Sequence, residues 1–195
     1  MKKKLVILTI LFSALTLSAQ DVVWKFTYDI GVPLAETKEF ADQVSWRGLA
    51  LDFDRFVSSI FAIGMGFSWS TFLEKESDSY YEINNGLAHG TQVRYINTIP
   101  LLARFSWYKQ LTSSEMSLFG TMGVGTVWQE TRREIGTFAF VDDYWQFALA
   151  PEVGMIFPVG YSSSITAKVR YVHGFETSDG APPLQYLGIG VGFAW

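Results

Sequence analysis

Apolar and polar side chains alternate with a period of two along most of the chain after residue 20. The clearest case lies at residues 59–71, where a large apolar residue at every second position alternates with alanine, glycine or serine. Successive strand residues point to opposite faces, so this pattern predicts strands with one apolar face, and helical spacing finds little support. The alternation recurs in eight segments, at residues 24–32, 44–54, 59–71, 92–108, 116–129, 143–158, 163–175 and 185–195.

The connections between these segments alternate in length. Long polar connections fall at about 33–43, 72–91, 130–142 and 176–184, and shorter ones at about 54–58, 109–115 and 159–162. Transmembrane barrels have long outer loops and short periplasmic turns, and a tilted strand of about 10 residues crosses the bilayer. The pattern predicts an all-β fold, an eight-stranded antiparallel up-and-down transmembrane β-barrel over residues 20–195.

Composition supports this architecture against the alternatives. The chain is 49% hydrophobic and 16% aromatic, with only 17% charged residues, whereas a soluble domain carries about 25%. Such a composition excludes disorder. No run of 18 apolar residues follows residue 17, which opposes membrane-spanning helices.

The first residues have the layout of a secretory signal. Three lysines, Lys2 to Lys4, precede an apolar stretch from Leu5 to Leu17 that is too short to span a bilayer. Small residues follow, so we expect a cleaved signal peptide at residues 1–19 and export to the cell outer membrane. The absence of cysteine removes disulfides and thiolate metal sites from consideration, and no cofactor or metal site is predicted.

The alternate, less apolar set of side chains faces the lumen if the apolar set faces lipid. Eight strands leave room inside for side chains but no open channel. Buried charges must be paired or hydrated, so we predict an internal ion-pair network, with a proton or ion path as the alternative. The predicted members are Lys25, Asp29, Asp52, Arg94, Arg104, Glu152, Lys168 and Arg170.

All seven tryptophans fall near the ends of predicted strands. Tryptophan concentrates at both membrane–water interfaces, because its amphipathic ring suits the headgroup level. Following the chain up and down predicts a membrane girdle of Trp24, Trp107 and Trp195 at the periplasmic end and Trp46, Trp69, Trp128 and Trp145 at the outer end.

The run from Leu187 to Trp195 and the stretch Ile99-Pro100-Leu101-Leu102 carry a resemblance. Together with the signal sequence and the eight segments, they resemble small outer-membrane β-barrels of the OmpX type and the OmpA transmembrane domain, in the outer membrane protein β-barrel domain family. The resemblance covers residues 20–195. It implies an assembly signal that the barrel-assembly machinery reads, carried here by Ile189, Val191, Phe193 and Trp195.

Four functional hypotheses follow. The leading one is a structural or surface-interaction barrel without catalysis, whose partners are outer-membrane lipid and lipopolysaccharide. A lipid A-modifying enzyme would use His173, but the residue two positions on is Phe175 where deacylase barrels place a serine. A narrow porin or small-ligand carrier would need a hydrated lumen. A soluble lipocalin-like barrel would need Lys25, Asp29, Arg104 and Glu152 on its surface. The net charge of −4 disfavours nucleic acid.

Overall fold

The computed structural model describes residues 22–83, 86–111, 115–135, 138–160, 163–177 and 180–195; for 77–83, 86–90, 135 and 138 it describes the backbone alone. The predicted signal peptide, residues 1–19, lies outside the described residues. The strands are β1 (Val22–Pro33), β2 (Gly48–Phe56), β3 (Phe61–Ile83), β4 (Gly86–Gln110), β5 (Ser117–Ile135), β6 (Phe138–Pro158), β7 (Ser164–Gly174) and β8 (Leu184–Ala194). One short helix, α1 (Ala35–Phe40), follows β1.

The eight strands close into a ring. Each strand pairs antiparallel with the next, and β8 returns to pair with β1 from Lys25↔Ala194 to Pro33↔Tyr186. Next to the Lys25↔Ala194 end of that ladder, the Trp24 amide donates to the Trp195 carbonyl at 2.9 Å, and the Trp195 amide donates to the Trp24 carbonyl at 3.0 Å. The predicted up-and-down barrel is confirmed. Closure leaves no strand edge along the wall, which an open sheet would have to protect.

The two faces of the wall have the polarity of a barrel that meets an apolar surrounding. On β1, Phe26 and Tyr28 are exposed on the outside, whereas Lys25 and Asp29 are buried inside. Outward Met65 is 72% exposed, although soluble proteins rarely gather such residues into a large patch. The lipocalin-like interpretation is therefore wrong, since Lys25, Asp29, Arg104 and Glu152 all lie in the interior.

Two of the predicted long connections are strands instead. β3 and β4 stay paired up to Ile83↔Gly86, and β5 and β6 up to Ile135↔Phe138, so the expected loops at 72–91 and 130–142 are wrong. The apolar alternation of the outward face ends there, and polar residues such as Thr131 fit a strand without it. β3 to β6 thus form a four-stranded extension above the barrel.

The first outer connection folds over the mouth of the barrel. In α1, the buried Thr37 hydroxyl accepts a 2.7 Å hydrogen bond from the Gln185 amide at the start of β8. Ala41 is fully buried and belongs to the same apolar cluster as Phe72. The Arg133 guanidinium of the extension stands 5.6 Å above the Phe40 ring. The mouth is therefore packed by this connection. In the described part of the chain, no helix has the length and hydropathy to cross a membrane.

Candidate functional site

The lumen holds a cluster of eight charged side chains, called here the ionic cluster. Four are cations and four are anions, so their formal charges cancel, and each of the eight residues is at most 5% exposed. They come from five strands, so the register of the whole barrel brings them together. The members are Lys25, Asp29, Asp52, Asp54, Arg104, Glu152, Lys168 and Arg170.

Arg104 occupies the centre of the ionic cluster. Its Nε lies 3.1 Å from Asp54 Oδ1 and its Nη1 lies 3.1 Å from Asp52 Oδ1. Its Nη2 lies 2.8 Å from Glu152 Oε1. The planar guanidinium presents five donors in a fixed fork, so one side chain can bind three carboxylates from two other strands. Arg104 on β4 thereby connects β2 with β6 through the lumen.

Asp52 receives cations from a second side. Arg170 Nη2 lies 2.7 Å from Asp52 Oδ1, and Lys168 Nζ lies 2.7 Å from Asp52 Oδ2. Arg170 Nε also donates to Glu152 at 2.6 Å. Lys168 reaches Asp29 Oδ2 at 3.9 Å. Each carboxylate of this part thus has at least one cationic partner, which is the condition for keeping charges inside.

Lys25 is the member of the ionic cluster nearest the short turns of the barrel. Its Nζ lies 2.7 Å from Asp54 Oδ2 and donates to the Tyr108 hydroxyl at 2.9 Å, while that hydroxyl donates to the same Asp54 oxygen at 2.6 Å. The Nζ also lies 4.0 Å from the centre of the Phe119 ring, where the ring face attracts a cation. Lys25 is thus surrounded by one carboxylate, one phenol and one aromatic face.

Glycine makes room for these long side chains on the inner wall. A Cβ at Gly66 would fall 2.7 Å from Asp52 Oδ1 and 2.9 Å from Arg104 Cδ. A Cβ at Gly190 would fall 2.4 Å from Asp29 Oδ1 and 3.0 Å from Lys168 Cε. Real Cβ contacts are longer, so any larger residue at either position would displace part of the cluster.

Apolar layers close the lumen on both sides of the ionic cluster. Along β4, Ile96 and Leu102 belong to an apolar cluster on the side of the long outer connections, called here the outer apolar cluster. Arg104 follows, and Tyr108 belongs to a second cluster on the side of the short turns, called here the inner apolar cluster. β6 has the same order, with Ala150 in the outer cluster, Glu152 in the ionic cluster and Ile156 packed against the inner one. The ionic cluster is therefore a buried middle layer, and the described lumen is filled by side chains.

Two buried polar atoms beside the cluster lack a partner. Arg170 Nη1 and Ser68 Oγ have no hydrogen bond in the described structure. Ser68 lies at a gap in the β3–β4 ladder, between the pairs Phe67↔Leu101 and Ser70↔Thr98. The strand opposite this gap carries Pro100, which has no amide hydrogen to donate.

The predicted member Arg94 does not belong to the ionic cluster. Its Nη2 lies 3.2 Å from Glu76 Oε2 and donates to Gln92 Oε1 at 2.9 Å, in the four-stranded extension. Arg94 shares the inward parity of Arg104, but it stands beyond Ile96 of the outer apolar cluster. Parity alone could not tell how far along the strand the lumen ends, which is the reason for the error.

Asp54 is the member that the sequence interpretation missed. It stands where the predicted segment 44–54 meets the predicted connection 54–58, whereas β2 continues to Phe56. Asp54 lies two residues after Asp52 and therefore has the same orientation. That spacing is the signal that would have found it.

The seven tryptophans of the predicted girdle divide between the two ends of the barrel. Trp24, Trp107 and Trp195 lie outward near the short turns, with Trp24 packed on Phe53 at a ring distance of 4.8 Å. Near the other end, Trp69 faces outward and Trp128 pairs directly with Trp145. Trp46 is 66% exposed, and its carbonyl accepts a bond from the Tyr28 hydroxyl. The terminal residues Ile189, Val191, Phe193 and Trp195 all face outward.

His173 points outward from β7 rather than into the lumen. Its Nδ1 lies 3.5 Å from the Tyr171 hydroxyl, and its ring meets the Phe175 ring edge-on at 4.3 Å. A catalytic histidine needs a nucleophile within hydrogen-bond reach, and the hydrogen bonds of the described residues join His173 to no serine or carboxylate. The same residues contain no group of three or more histidine, aspartate or glutamate side chains able to hold a metal ion.

No protein-family model matches this sequence, and a search of the curated proteins finds no match. Solved structures do match. Neisserial surface protein A aligns with a TM-score of 0.56 at 8% identity, over 89% of this chain and 94% of that one. The N-terminal β-barrel domain of Pseudomonas aeruginosa OprF aligns with a TM-score of 0.48 at 12% identity, over 90% of this chain and 98% of that one. Ail, the attachment invasion locus protein of Yersinia pestis, bound to the heparin analogue sucrose octasulfate, has a TM-score of 0.48 at 13% identity, over 89% and 96%. The chain therefore has the fold of the small eight-stranded outer-membrane β-barrels.

Proposed function

We propose that the chain is a small β-barrel of a Gram-negative outer membrane, with a structural or surface-interaction role and no catalysis. The inverted polarity of the wall carries the proposal. Eight charged side chains are buried in the lumen, while large apolar side chains such as Phe67 and Val191 are exposed outside. In water this arrangement would expose apolar surface around the whole wall, whereas in a bilayer the same surface meets lipid.

The height of the apolar band supports a membrane location. On the outer face of β4 the alternate residues from Ile99 to Trp107 are apolar, and the next outward residue beyond Ile99 is Asn97. Asn97 bonds to Thr71 and Glu130, its neighbours on β3 and β5. A tilted transmembrane strand needs about nine residues, which matches the band. The polar row of Thr71, Asn97 and Glu130 then lies at the outer headgroup level.

The closed lumen favours a structural role over a porin or an ion path. A path for ions would have to cross both apolar layers, and Phe72 and Val127 of the outer one are fully buried. Moving a bare charge through an apolar layer is costly. The ionic cluster instead links β1, β2, β4, β6 and β7, so it stiffens the wall.

The four-stranded extension supports the surface-interaction part of the proposal. It raises β3 to β6 above the other four strands and carries exposed Arg132, Phe140 and Val141. Mixed apolar and cationic residues of this kind are common in protein interfaces. Lipopolysaccharide around the barrel and a surface partner on the extension are the proposed contacts.

Export and assembly complete the proposal. Residues 1–19 direct export and are then removed. The outward row of Ile189, Val191, Phe193 and Trp195 on β8 is the proposed signal for the barrel-assembly machinery. The exposure of all four residues supports this role, because a receptor can read only accessible side chains.

Heat-modifiable migration on a gel tests the proposal. The full chain is expressed with its own leader, and its outer-membrane fraction is run in detergent with and without boiling. We expect the unboiled barrel to migrate faster than the boiled chain, and to be absent from the soluble fraction. A folded protein that stays in solution without detergent would contradict the membrane location. Stepwise conductance in a planar bilayer would contradict the closed lumen.

A further inference from the structure

Two grooves cross the outer wall of the barrel near its short-turn end. One has a volume of about 700 Å³ and the other of about 550 Å³. Both are lined by the same ridge of neighbouring positions on β4, β5, β6 and β7, which are Trp107, Gly120, Val153 and Val169. Strand pairing places these four side by side, as Trp107↔Gly120, Gly120↔Val153 and Val153↔Val169. The grooves therefore lie on the two sides of a single ridge.

The ridge has one low point. Gly120 is the only ridge position without a side chain, and a Cβ built there would meet no atom within 4 Å. The two grooves consequently join above Gly120, between the Trp107 ring and the Val153 side chain. A ligand could lie across this saddle with one part in each groove.

The grooves have the length and inclination of lipid chains in one leaflet. From β4 to β8 the wall spans about 19 Å, at about 4.8 Å per strand. Strands tilted about 40° incline this direction, so the grooves rise about 12 Å across the bilayer. One leaflet of the hydrocarbon core is about 15 Å thick. Each groove can thus hold one chain within the periplasmic leaflet.

A cation stands at the headgroup end of the grooves. Lys109 follows Trp107 by two residues on the same outward face of β4, and it is exposed beside Leu118, which lines the smaller groove. Trp107 belongs to the proposed periplasmic girdle, so the Lys109 ammonium lies at the level of lipid phosphates. Its charge is complementary to an anionic headgroup.

We propose that this surface is a seat for one anionic two-chain phospholipid of the periplasmic leaflet. The two acyl chains lie in the two grooves, they approach each other over Gly120, and Lys109 binds the phosphate. The inference rests on the membrane location proposed above. It adds a specific lipid ligand to a wall that would otherwise meet lipid without preference.

Native mass spectrometry of the purified full barrel with added phosphatidylglycerol tests the seat. Gly120→Leu places a side chain in the saddle, where a Cβ meets no atom within 4 Å, and Ala103→Leu adds the same side chain on the outer face of β4 away from the grooves. We expect the unsubstituted barrel and the Ala103→Leu barrel to retain one phosphatidylglycerol, and the Gly120→Leu barrel to bind it about tenfold more weakly, the loss that follows when roughly two methylene groups can no longer be buried. Equal retention by both variants would overturn the proposal.

Lys109→Gln and the zwitterionic lipid phosphatidylcholine test the headgroup. We expect the unsubstituted barrel to prefer phosphatidylglycerol, and the Lys109→Gln barrel to bind both lipids alike. No preference in the unsubstituted barrel would overturn the anionic seat. Each sample is first checked for heat-modifiable migration. A chain that never migrates as a barrel would contradict the membrane location, whereas a normal barrel that retains no lipid would contradict only the seat.

Discussion

The Arg104 guanidinium binds the Glu152 carboxylate at 2.8 Å across the lumen, although β5 lies between their two strands in the wall. The pair therefore joins strands that share no backbone ladder. Backbone hydrogen bonds between neighbouring strands hold the ring together along its circumference, whereas this ion pair connects β4 with β6 through the lumen. The ionic cluster thus adds a second set of connections to the barrel.

Removing one partner of this pair should be strongly destabilising. Arg104→Met leaves Asp52, Asp54 and Glu152 with too little positive charge in a buried layer, and breaking such a buried pair costs about 3–5 kcal/mol. The free energy of unfolding, measured by urea titration in liposomes, should fall by that amount. The matched control is Arg132→Met, which removes an exposed pair with Glu134 and should cost about 1 kcal/mol or less. Similar losses in the two variants would contradict the role of the ionic cluster.

Arg94 should behave as a surface residue and Arg170 as a lumen residue. Arg94 binds the partly exposed Glu76 in the extension, whereas Arg170 binds Asp52 and Glu152 inside. Arg94→Met should change the free energy of unfolding by about 1 kcal/mol or less, and Arg170→Met should lower it by about 3–5 kcal/mol. If Arg94→Met proved the more damaging of the two, the lumen would have to extend beyond Ile96.

Two glycines facing opposite sides of the wall should differ in their tolerance of alanine. A Cβ at Gly66 would press on Asp52 and Arg104, whereas a Cβ at Gly120 enters open space. Gly66→Ala should therefore destabilise the barrel by about 1–3 kcal/mol, the usual effect of overpacking. Gly120→Ala should leave the urea midpoint nearly unchanged and so serves as the control. An unchanged midpoint for Gly66→Ala would show that the ionic cluster can move aside.

The extension should be separable from the barrel. Replacing residues 76–92 by Asn-Gly, a pair that favours a tight hairpin turn, removes the top of the β3–β4 hairpin while leaving the Lys75↔Val93 pair to flank the turn. The shortened chain should still show heat-modifiable migration, since both apolar layers and the ionic cluster remain. Loss of the folded band would mean that the extension is needed for closure.

His173 should have no part in lipid chemistry. His173→Ala removes a ring that contacts Tyr171 and Phe175 on the outer wall. The lipid A of cells expressing the unsubstituted chain and the variant should give the same acylation pattern by mass spectrometry. A difference that also appears with Tyr171→Phe would instead indicate an acyl-transfer site on this wall.

Much of the barrel could be predicted because a bilayer imposes a simple rule on the sequence. A residue such as Phe67 must be apolar and its neighbour Ser68 need not be, so the alternation marks the strands and their outward face. Most of the ionic cluster followed from the same parity. On the outward face the rule lapses at Asn97, which bonds to Thr71 and Glu130. The extended strands and the position of Arg94 depend on pairing between strands, which no single segment reveals.

The paired amides of Trp24 and Trp195 have a consequence for how the barrel forms. Contacts between β1 and β8 join residues about as far apart in sequence as the chain allows, and such contacts form late in folding. Until β8 arrives, β1 presents unpaired amides and carbonyls that any other strand could take. A sheet that lacks β8 therefore keeps two unpaired edges, so a chain that loses its last strand becomes a template for aggregation and not merely a weaker barrel.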